Sequence, residues 1–88
     1  MKKVITMFTG NDCPRCAAAK VHLENIPAEF KEGVTLIEIN VDKVEGARDA
    51  LINQYKSNTL PTFVLEGHSE PLRGFDEHFG KIQEYIGL

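Results

Sequence analysis

The strongest constraint on the fold of this chain is a Cys-Pro-Arg-Cys segment at residues 13–16, together with its flanks. An apolar run at residues 4–8 precedes it, and a helix-favouring Ala-Ala-Ala-Lys stretch follows at residues 17–20. Proline suits the first position of a helix, where its missing N–H leaves no hydrogen bond unmade. The pattern therefore predicts a buried strand, a turn and a helix that runs from about residue 14 to residue 24.

Cys13 and Cys16 are the only cysteines of the chain. Two thiols with this spacing at a helix start can close a small disulfide and reopen it, and the helix terminus favours the attacking thiolate. Arg15 adds a positive charge beside the pair, whereas Asp12 opposes it. Because the helix terminus is fixed geometry, we expect a net stabilisation of the Cys13 thiolate. Cys13 is predicted to attack a disulfide, and Cys16 to resolve the mixed disulfide that forms.

Two other interpretations of the cysteine pair are weaker. A Cys-x-x-Cys segment can be half of a zinc site, but four ligands are usual, and the sequence has no second pair. The three histidines are scattered over separate predicted elements, so we predict no metal site. A purely structural disulfide would close a loop too short to constrain the unfolded chain much.

The middle of the chain predicts a second strand and a second helix. Residues 34–41 form the strongest strand pattern in the sequence, and a helix between two apolar strands makes those strands parallel. A helix is expected next, with Asp42 as a plausible cap. Its buried face is predicted from helical spacing to hold Val44, Ala47, Leu51, Ile52 and Tyr55.

The last third of the chain predicts a hairpin and a final helix. A strand at residues 62–65, a polar turn and a short strand at residues 71–73 make the hairpin. The final helix is expected to begin around residues 74–77, with Asp76 and Glu77 in its first turn. Its inner face is predicted to hold Phe75, Phe79, Ile82 and Ile86.

Composition limits the class of protein. The 88 residues make one domain, and an apolar content of 42% is near ordinary globular usage. A net charge of −3 without a basic cluster argues against nucleic acid as a partner. The first apolar run is too short for a signal peptide, and no segment approaches the length of a membrane span. We expect a cytoplasmic monomer in a compartment that keeps thiols reduced, with no membrane partner.

The order β-α-β-α-β-β-α, with Cys-x-x-Cys after the first strand and Thr59-Leu60-Pro61 before the third, resembles the thioredoxin superfamily. At this length the chain is most similar to a glutaredoxin, and residues 1–88 would be a single glutaredoxin-like domain. The resemblance implies an α/β thioredoxin-like fold with a four-stranded mixed sheet and three helices, the third strand antiparallel to the first. It also implies a dithiol–disulfide oxidoreductase of the glutaredoxin type, whose partners are disulfide-containing proteins.

The resemblance assigns a role to the Thr59-Leu60-Pro61 segment. Pro61 would be a cis proline facing the cysteines, and the backbone of Leu60 would pair with a substrate peptide through β-type hydrogen bonds. The alternative from the residues alone is a proline that opens an edge strand and marks only a turn.

The resemblance also implies glutathione as a co-substrate, with no tightly bound cofactor. In glutaredoxins a Gly-rich turn and an acidic residue hold one end of glutathione, and Gly74, Phe75 and Asp76 match them here. Asp76 as a simple helix cap is the alternative. The basic residue that many glutaredoxins carry three positions before the first cysteine is Gly10 in this chain, and their usual tyrosine between the cysteines is Arg15. Arg15 or Lys56 would then supply the missing charge.

Two further classes stay open. The Asn-Asp-Cys segment at residues 11–13 and the segment at residues 39–42 also resemble redoxins that thioredoxin reductase recharges and that donate electrons to ribonucleotide reductase. Their Cys-x-Gln-Cys pattern is absent. Other glutaredoxin relatives hold an iron–sulfur cluster across a dimer without catalysis, which would use Cys13. Pro14 and the second cysteine disfavour that class, because its commonest members have a single cysteine in Cys-Gly-Phe-Ser.

Overall fold

The fold is known from a computed structural model, which describes residues 3–87. A four-stranded sheet in the order β2-β1-β3-β4 forms its centre. The strands are β1 (Lys3–Thr9), β2 (Val34–Asn40), β3 (Thr62–Leu65) and β4 (Leu72–Arg73). The helices of this region are α1 (Pro14–Glu24), α2 (Ala28–Lys31), α3 (Ala47–Asn53) and α4 (Phe79–Ile86).

The sheet is mixed, as the sequence predicted. Strand β1 runs parallel to β2, with Thr9 opposite Asn40, and antiparallel to β3, with Phe8 opposite Thr62. Strand β4 pairs antiparallel with β3 at the far edge. The helical crossover between β1 and β2 makes the first pair parallel, whereas the short hairpin connection makes the last pair antiparallel. The predicted antiparallel third strand and the α/β thioredoxin-like architecture are confirmed.

Helix α1 begins and ends where the sequence predicted, but the connection behind it contains an extra element. The one-turn helix α2 lies within residues 27–33, where the sequence predicted no helix. The Pro27 C=O accepts hydrogen bonds from the backbone N–H groups of Phe30 and Lys31. Phe30 is half-buried and packs against the core, which a one-turn helix allows without leaving these backbone groups unpaired. The described chain thus has four helices instead of three.

Helix α3 is shorter than predicted, and part of its assigned buried face was wrong. It starts after Gly46, whose φ of 82° is left-handed, and Asp42 does not cap it. Ala47 and Leu51 are buried, whereas Val44 and Ile52 are about half exposed, at 49% and 46%. Val44 lies in the turns that precede the helix, so helical spacing from that position did not apply.

Helix α4 starts later than predicted. Gly74, with a left-handed φ of 97°, redirects the chain after β4, and Asp76 lies in the turn between Gly74 and the helix. The position before the first helical residue belongs to His78. The predicted start around residues 74–77 and the cap interpretation of Asp76 are therefore wrong. The predicted inner face is confirmed for Ile82 and Ile86, which are buried, and Phe79 on the same helix is half-buried. Phe75 is buried as well, but it lies before the helix and not on its inner face.

The core lies on both faces of the sheet, because side chains alternate along each strand. Met7 of β1 belongs to the larger cluster, to which α1 and α4 contribute Ala19, Leu23, Ile82 and Ile86. Phe8 points to the other face, where it joins Val41, Ala47 and Leu51. Among residues 3–87, no helix combines the length and apolar composition that crossing a membrane requires.

Phe63, on the central strand β3, is fully buried, with 0% of its surface exposed. Phe63→Ala should lower the free energy of unfolding by about 3–5 kcal/mol, because it removes apolar contact and leaves a cavity. Urea unfolding would measure the change. Val21→Ala on α1 is the control, since Val21 is 55% exposed, and it should change stability by no more than about 0.5 kcal/mol. Equal effects of the two substitutions would contradict this packing.

Candidate active site

The two cysteines lie at the N-terminus of α1 and form a disulfide, with their Cα atoms 5.2 Å apart. Cys13 is the residue just before the helix, in an extended conformation, and Pro14 is the first helical residue. The backbone N–H of Cys16 donates a hydrogen bond to Cys13 Sγ over 3.1 Å. In the reduced protein, the same N–H would stabilise negative charge on that sulfur, as helix N-termini do for anions.

The two cysteines differ in accessibility. Cys13 is half-buried, whereas Cys16 is only 3% exposed, on the side of α1 that faces the protein. An attacking sulfur must reach a disulfide in another molecule, while a resolving sulfur needs to reach only its neighbour. The difference favours Cys13 as nucleophile and Cys16 as resolving residue, which remain predicted roles.

The segment before β3 lies against the turn that leads to Cys13. The Leu60–Pro61 peptide bond is cis, as the resemblance implied, and the backbone N–H of Gly74 donates to the Pro61 C=O over 2.8 Å. A Cβ placed on Gly10 would lie 2.7 Å from Leu60 Cδ1. Leu60 therefore covers Gly10, three residues before Cys13, and the fold brings the cysteine turn and the cis-proline segment together.

Asp42 anchors the turn before Cys13. Its Oδ2 accepts the backbone N–H of Asn11 over 2.7 Å, and its Oδ1 accepts a hydrogen bond from Arg48 over 2.6 Å. The Asn40 side-chain amide donates to Asn11 Oδ1 over 3.3 Å. The Asn11 N–H and then Arg48 hold the pKa of Asp42 below its usual value. The sequence predicted Asp42 as a helix cap and did not predict its bond with Asn11, because a contact 31 residues away leaves no local signal.

A second polar group fastens α1 to the sheet. Lys20 of α1 lies 3.0 Å from Glu38 Oε1 on β2, and the Thr9 hydroxyl donates to Glu38 Oε2 over 2.8 Å. The hydrogen bond from Lys20, followed by that from Thr9, lowers the pKa of Glu38 below its ordinary value of 4.5. These contacts hold the helix that carries the cysteines, and sequence analysis missed all three residues.

The other predicted site residues differ in their exposure to solvent and in their contacts. Arg15 is exposed between the cysteines, and Thr59 and Leu60 are half-buried. Lys56 is exposed with a left-handed φ of 54°, and its C=O accepts a hydrogen bond from Arg73.

Gly74 adjoins Pro61 through the hydrogen bond described above. Phe75 is buried, with its ring centroid 5.8 Å from that of Phe63, which makes it a core residue. Asp76 is exposed. Within residues 3–87, no three side chains of the metal-binding types converge.

These features define a class. A cysteine pair at a helix N-terminus, a cis proline beside it and a mixed four-stranded sheet are the architecture of thiol–disulfide oxidoreductases of the thioredoxin superfamily. The sequence pattern of the glutaredoxin family matches residues 5–69. The chain belongs to the glutaredoxin family, and it is a thiol–disulfide oxidoreductase.

A thioredoxin and a thioredoxin-like protein support the same class, and a third protein shares the fold. A thioredoxin of Methanocaldococcus jannaschii is 37% identical over 71 residues, which are 80% of this chain and 79% of that protein. The crystal structure of the thioredoxin-like protein BC3987 superposes with a TM-score of 0.70 and 32% identity, covering 92% of this chain and 97% of the other. The germline-specific thioredoxin Deadhead of Drosophila melanogaster shares the fold, with a TM-score of 0.70, 21% identity and coverage of 99% and 82%.

Cys13→Ser should abolish disulfide reduction, because no accessible sulfur would remain to attack. Cys16→Ser should stop at the mixed disulfide between Cys13 and the substrate, visible by mass spectrometry without reductant. Ser69→Ala, in an exposed turn, is the control and should retain full activity. Appreciable turnover by Cys13→Ser would exclude it as the nucleophile.

Glu38→Gln should destabilise the protein at neutral pH by no more than about 1 kcal/mol, because the ion pair with Lys20 is partly exposed to solvent. Because the pKa of Glu38 is lowered in the folded protein, its carboxylate stabilises the fold at pH values above 4.5. This stabilisation is lost as the pH falls through the folded-state pKa. Urea unfolding at neutral pH and at about pH 3 should therefore show a difference between wild type and variant that shrinks in acid. A constant difference would contradict the carboxylate's role. Glu45→Gln, at an exposed turn position, is the matched control.

Proposed function

We propose that the chain reduces disulfides in partner proteins. We further propose that an enzyme of the thioredoxin reductase kind, and not glutathione, then reduces the Cys13–Cys16 disulfide. The single observation that carries the choice of electron source is the Gly10–Leu60 contact. The Cys13–Cys16 pair supports the disulfide reduction itself. The cytoplasm is the proposed compartment, because it keeps thiols reduced.

The reaction transfers two electrons in two exchanges. The Cys13 thiolate attacks one sulfur of the substrate disulfide, which forms a mixed disulfide and expels the other substrate sulfur as a thiolate. The Cys16 thiolate then attacks Cys13 Sγ. The Cys13–Cys16 disulfide forms, and the second substrate thiolate leaves. Cys16 is buried beside Cys13, so it can reach the mixed disulfide within the protein, whereas a disulfide in another molecule cannot easily reach Cys16.

The backbone of Leu60 is suited to hold an extended substrate. Neither its N–H nor its C=O has a hydrogen-bond partner among residues 3–87. The segment lies beside the turn that carries Cys13, so a peptide paired with Leu60 in the manner of a β-strand would run past the nucleophile. Such pairing accepts many sequences, because it reads backbone and not side chains.

The Gly10–Leu60 contact disfavours glutathione. Glutathione carries two carboxylates, and many glutaredoxins hold one with a basic side chain three residues before the first cysteine. That position is Gly10 in this chain, and the Leu60 side chain occupies the space beside it. Any side chain at position 10 would have to displace Leu60. The similarity to a protein named thioredoxin in M. jannaschii and to the thioredoxin-like protein BC3987 supports an electron source of the thioredoxin kind.

Glutathione as co-substrate is the second candidate, and one observation favours it. The backbone bond from Gly74 to Pro61 places the Gly74–Phe75–Asp76 turn next to the cis-proline segment, and both Asp76 and Lys56 are exposed. An exposed acidic side chain and an exposed basic side chain, one on each of these segments, would match the ammonium and carboxylate groups of glutathione.

Reduction of insulin disulfides with alternative electron sources tests the proposal. NADPH with thioredoxin reductase should support turnover, whereas glutathione with glutathione reductase and NADPH should not. Turnover with glutathione alone would overturn the proposed electron source and support the second candidate.

Gly10→Lys should raise the low background rate with glutathione several-fold above that of wild type, because it supplies the missing cation, on the order of 1 kcal/mol for one exposed ion pair. Gly10→Met is the matched control, since it displaces Leu60 to a similar extent without adding charge. Initial rates at subsaturating glutathione would measure both. Equal behaviour of the two variants would show that charge at position 10 does not decide the electron source.

A further inference from the structure

The segment before the cis proline is held by two buried hydroxyl groups that the mechanism does not use. Ser57 is 4% exposed and Thr62 is fully buried, and they are two of three buried polar residues in the described chain. Their oxygens lie 2.8 Å apart. A buried hydroxyl is costly without a partner, so the contacts of these two must be complete for the fold to keep them.

The direction of each hydrogen bond follows from counting protons. The Thr62 hydroxyl donates to the Thr59 C=O, which leaves its oxygen as an acceptor toward Ser57. Ser57 must therefore donate to Thr62, and its own oxygen accepts the backbone N–H of Thr59 over 3.3 Å. The two hydroxyls and the two backbone groups of Thr59 thus form a closed ring.

This ring fixes the residue before Leu60, and other bonds fix what lies on either side. The backbone N–H of Ser57 donates to the Leu51 C=O at the end of α3, over 3.1 Å. Pro61 is held through its C=O by Gly74. Leu60 lies between Thr59 and Pro61, which these bonds hold, and its own backbone groups stay unpaired within residues 3–87.

We infer that Ser57 and Thr62 are positioning residues for protein substrates, holding the Leu60 backbone ready to pair with an extended chain. The inference rests on the proposed reduction of protein disulfides. A segment already ordered in the free protein loses little conformational freedom when it binds, which strengthens binding without a new contact. A small disulfide has no backbone to pair with Leu60, and it gains nothing from this order.

The test compares a protein disulfide with a small one, insulin and hydroxyethyl disulfide, with dithiothreitol as the electron source. Ser57→Ala leaves the Thr59 N–H without its partner and should raise KM for insulin by about fivefold to tenfold. Its rate toward hydroxyethyl disulfide should stay within about twofold of wild type. Ser69→Ala, at an exposed serine in the hairpin turn, should match wild type on both substrates.

Thr62 provides a second, independent pair of variants. Thr62→Val removes the hydroxyl at nearly constant volume and should raise KM for insulin as Ser57→Ala does. Thr62→Ser keeps the hydroxyl and should leave KM for insulin at the wild-type value. Thermal unfolding identifies any variant that is not folded at the assay temperature. If Thr62→Val fails to fold, Ser57→Ala and Thr62→Ser still decide the matter.

Each outcome has a distinct meaning. A selective rise in the insulin KM, reversed in Thr62→Ser, supports the inference. An equal loss of activity on both substrates overturns it, because the hydroxyl ring would then contribute only to stability. No change on either substrate overturns it as well, because the ring would then have no effect on substrate binding. A wild-type protein that reduces hydroxyethyl disulfide but not insulin would overturn the proposed function, and the positioning role with it.

Discussion

The site depends above all on the antiparallel register between β1 and β3. With Phe8 opposite Thr62, the chain that leaves β1 toward Cys13 emerges beside the chain that enters β3 from Leu60 and Pro61. A shift of one residue would turn every side chain of β3 to the other face and take Phe63 and Leu65 out of the larger core cluster. The apolar residues Phe63 and Leu65, both buried, therefore hold the register that brings the turn before Cys13 and the cis-proline segment together.

Polar contacts complete what this register begins. Two loops meet at the active site, and loop backbone groups need partners that no strand or helix provides. Asp42 supplies one for the turn before Cys13, and the Ser57–Thr62 hydroxyl ring supplies two for the segment before Pro61. Leu60 keeps unpaired backbone groups between these anchors. The bonds of the neighbouring residues thus hold the segment in place, while the Leu60 backbone itself stays unpaired.

The sequence predicted those elements whose signals are local. Helix α1 was predicted with its observed bounds, because Pro14 marks its first turn and good helix formers follow. Helix α2 was missed, since its single turn depends on Phe30 packing against a core formed elsewhere. The start of α4 was placed too early because Asp76 and Glu77 suit a first helical turn. The left-handed Gly74 instead directs them into a separate turn.

By itself, the sequence determined the chemistry and the layout of the protein: two cysteines at a helix start, and strands whose connections make one pair parallel and another antiparallel. It also placed Pro61 at the entry to β3. Only the tertiary structure decided which polar residues support the site. Asp42 bonds with Asn11 across 31 positions, and Leu60 covers Gly10. Contacts between residues distant in sequence follow from strand pairing and packing, and no local pattern records them.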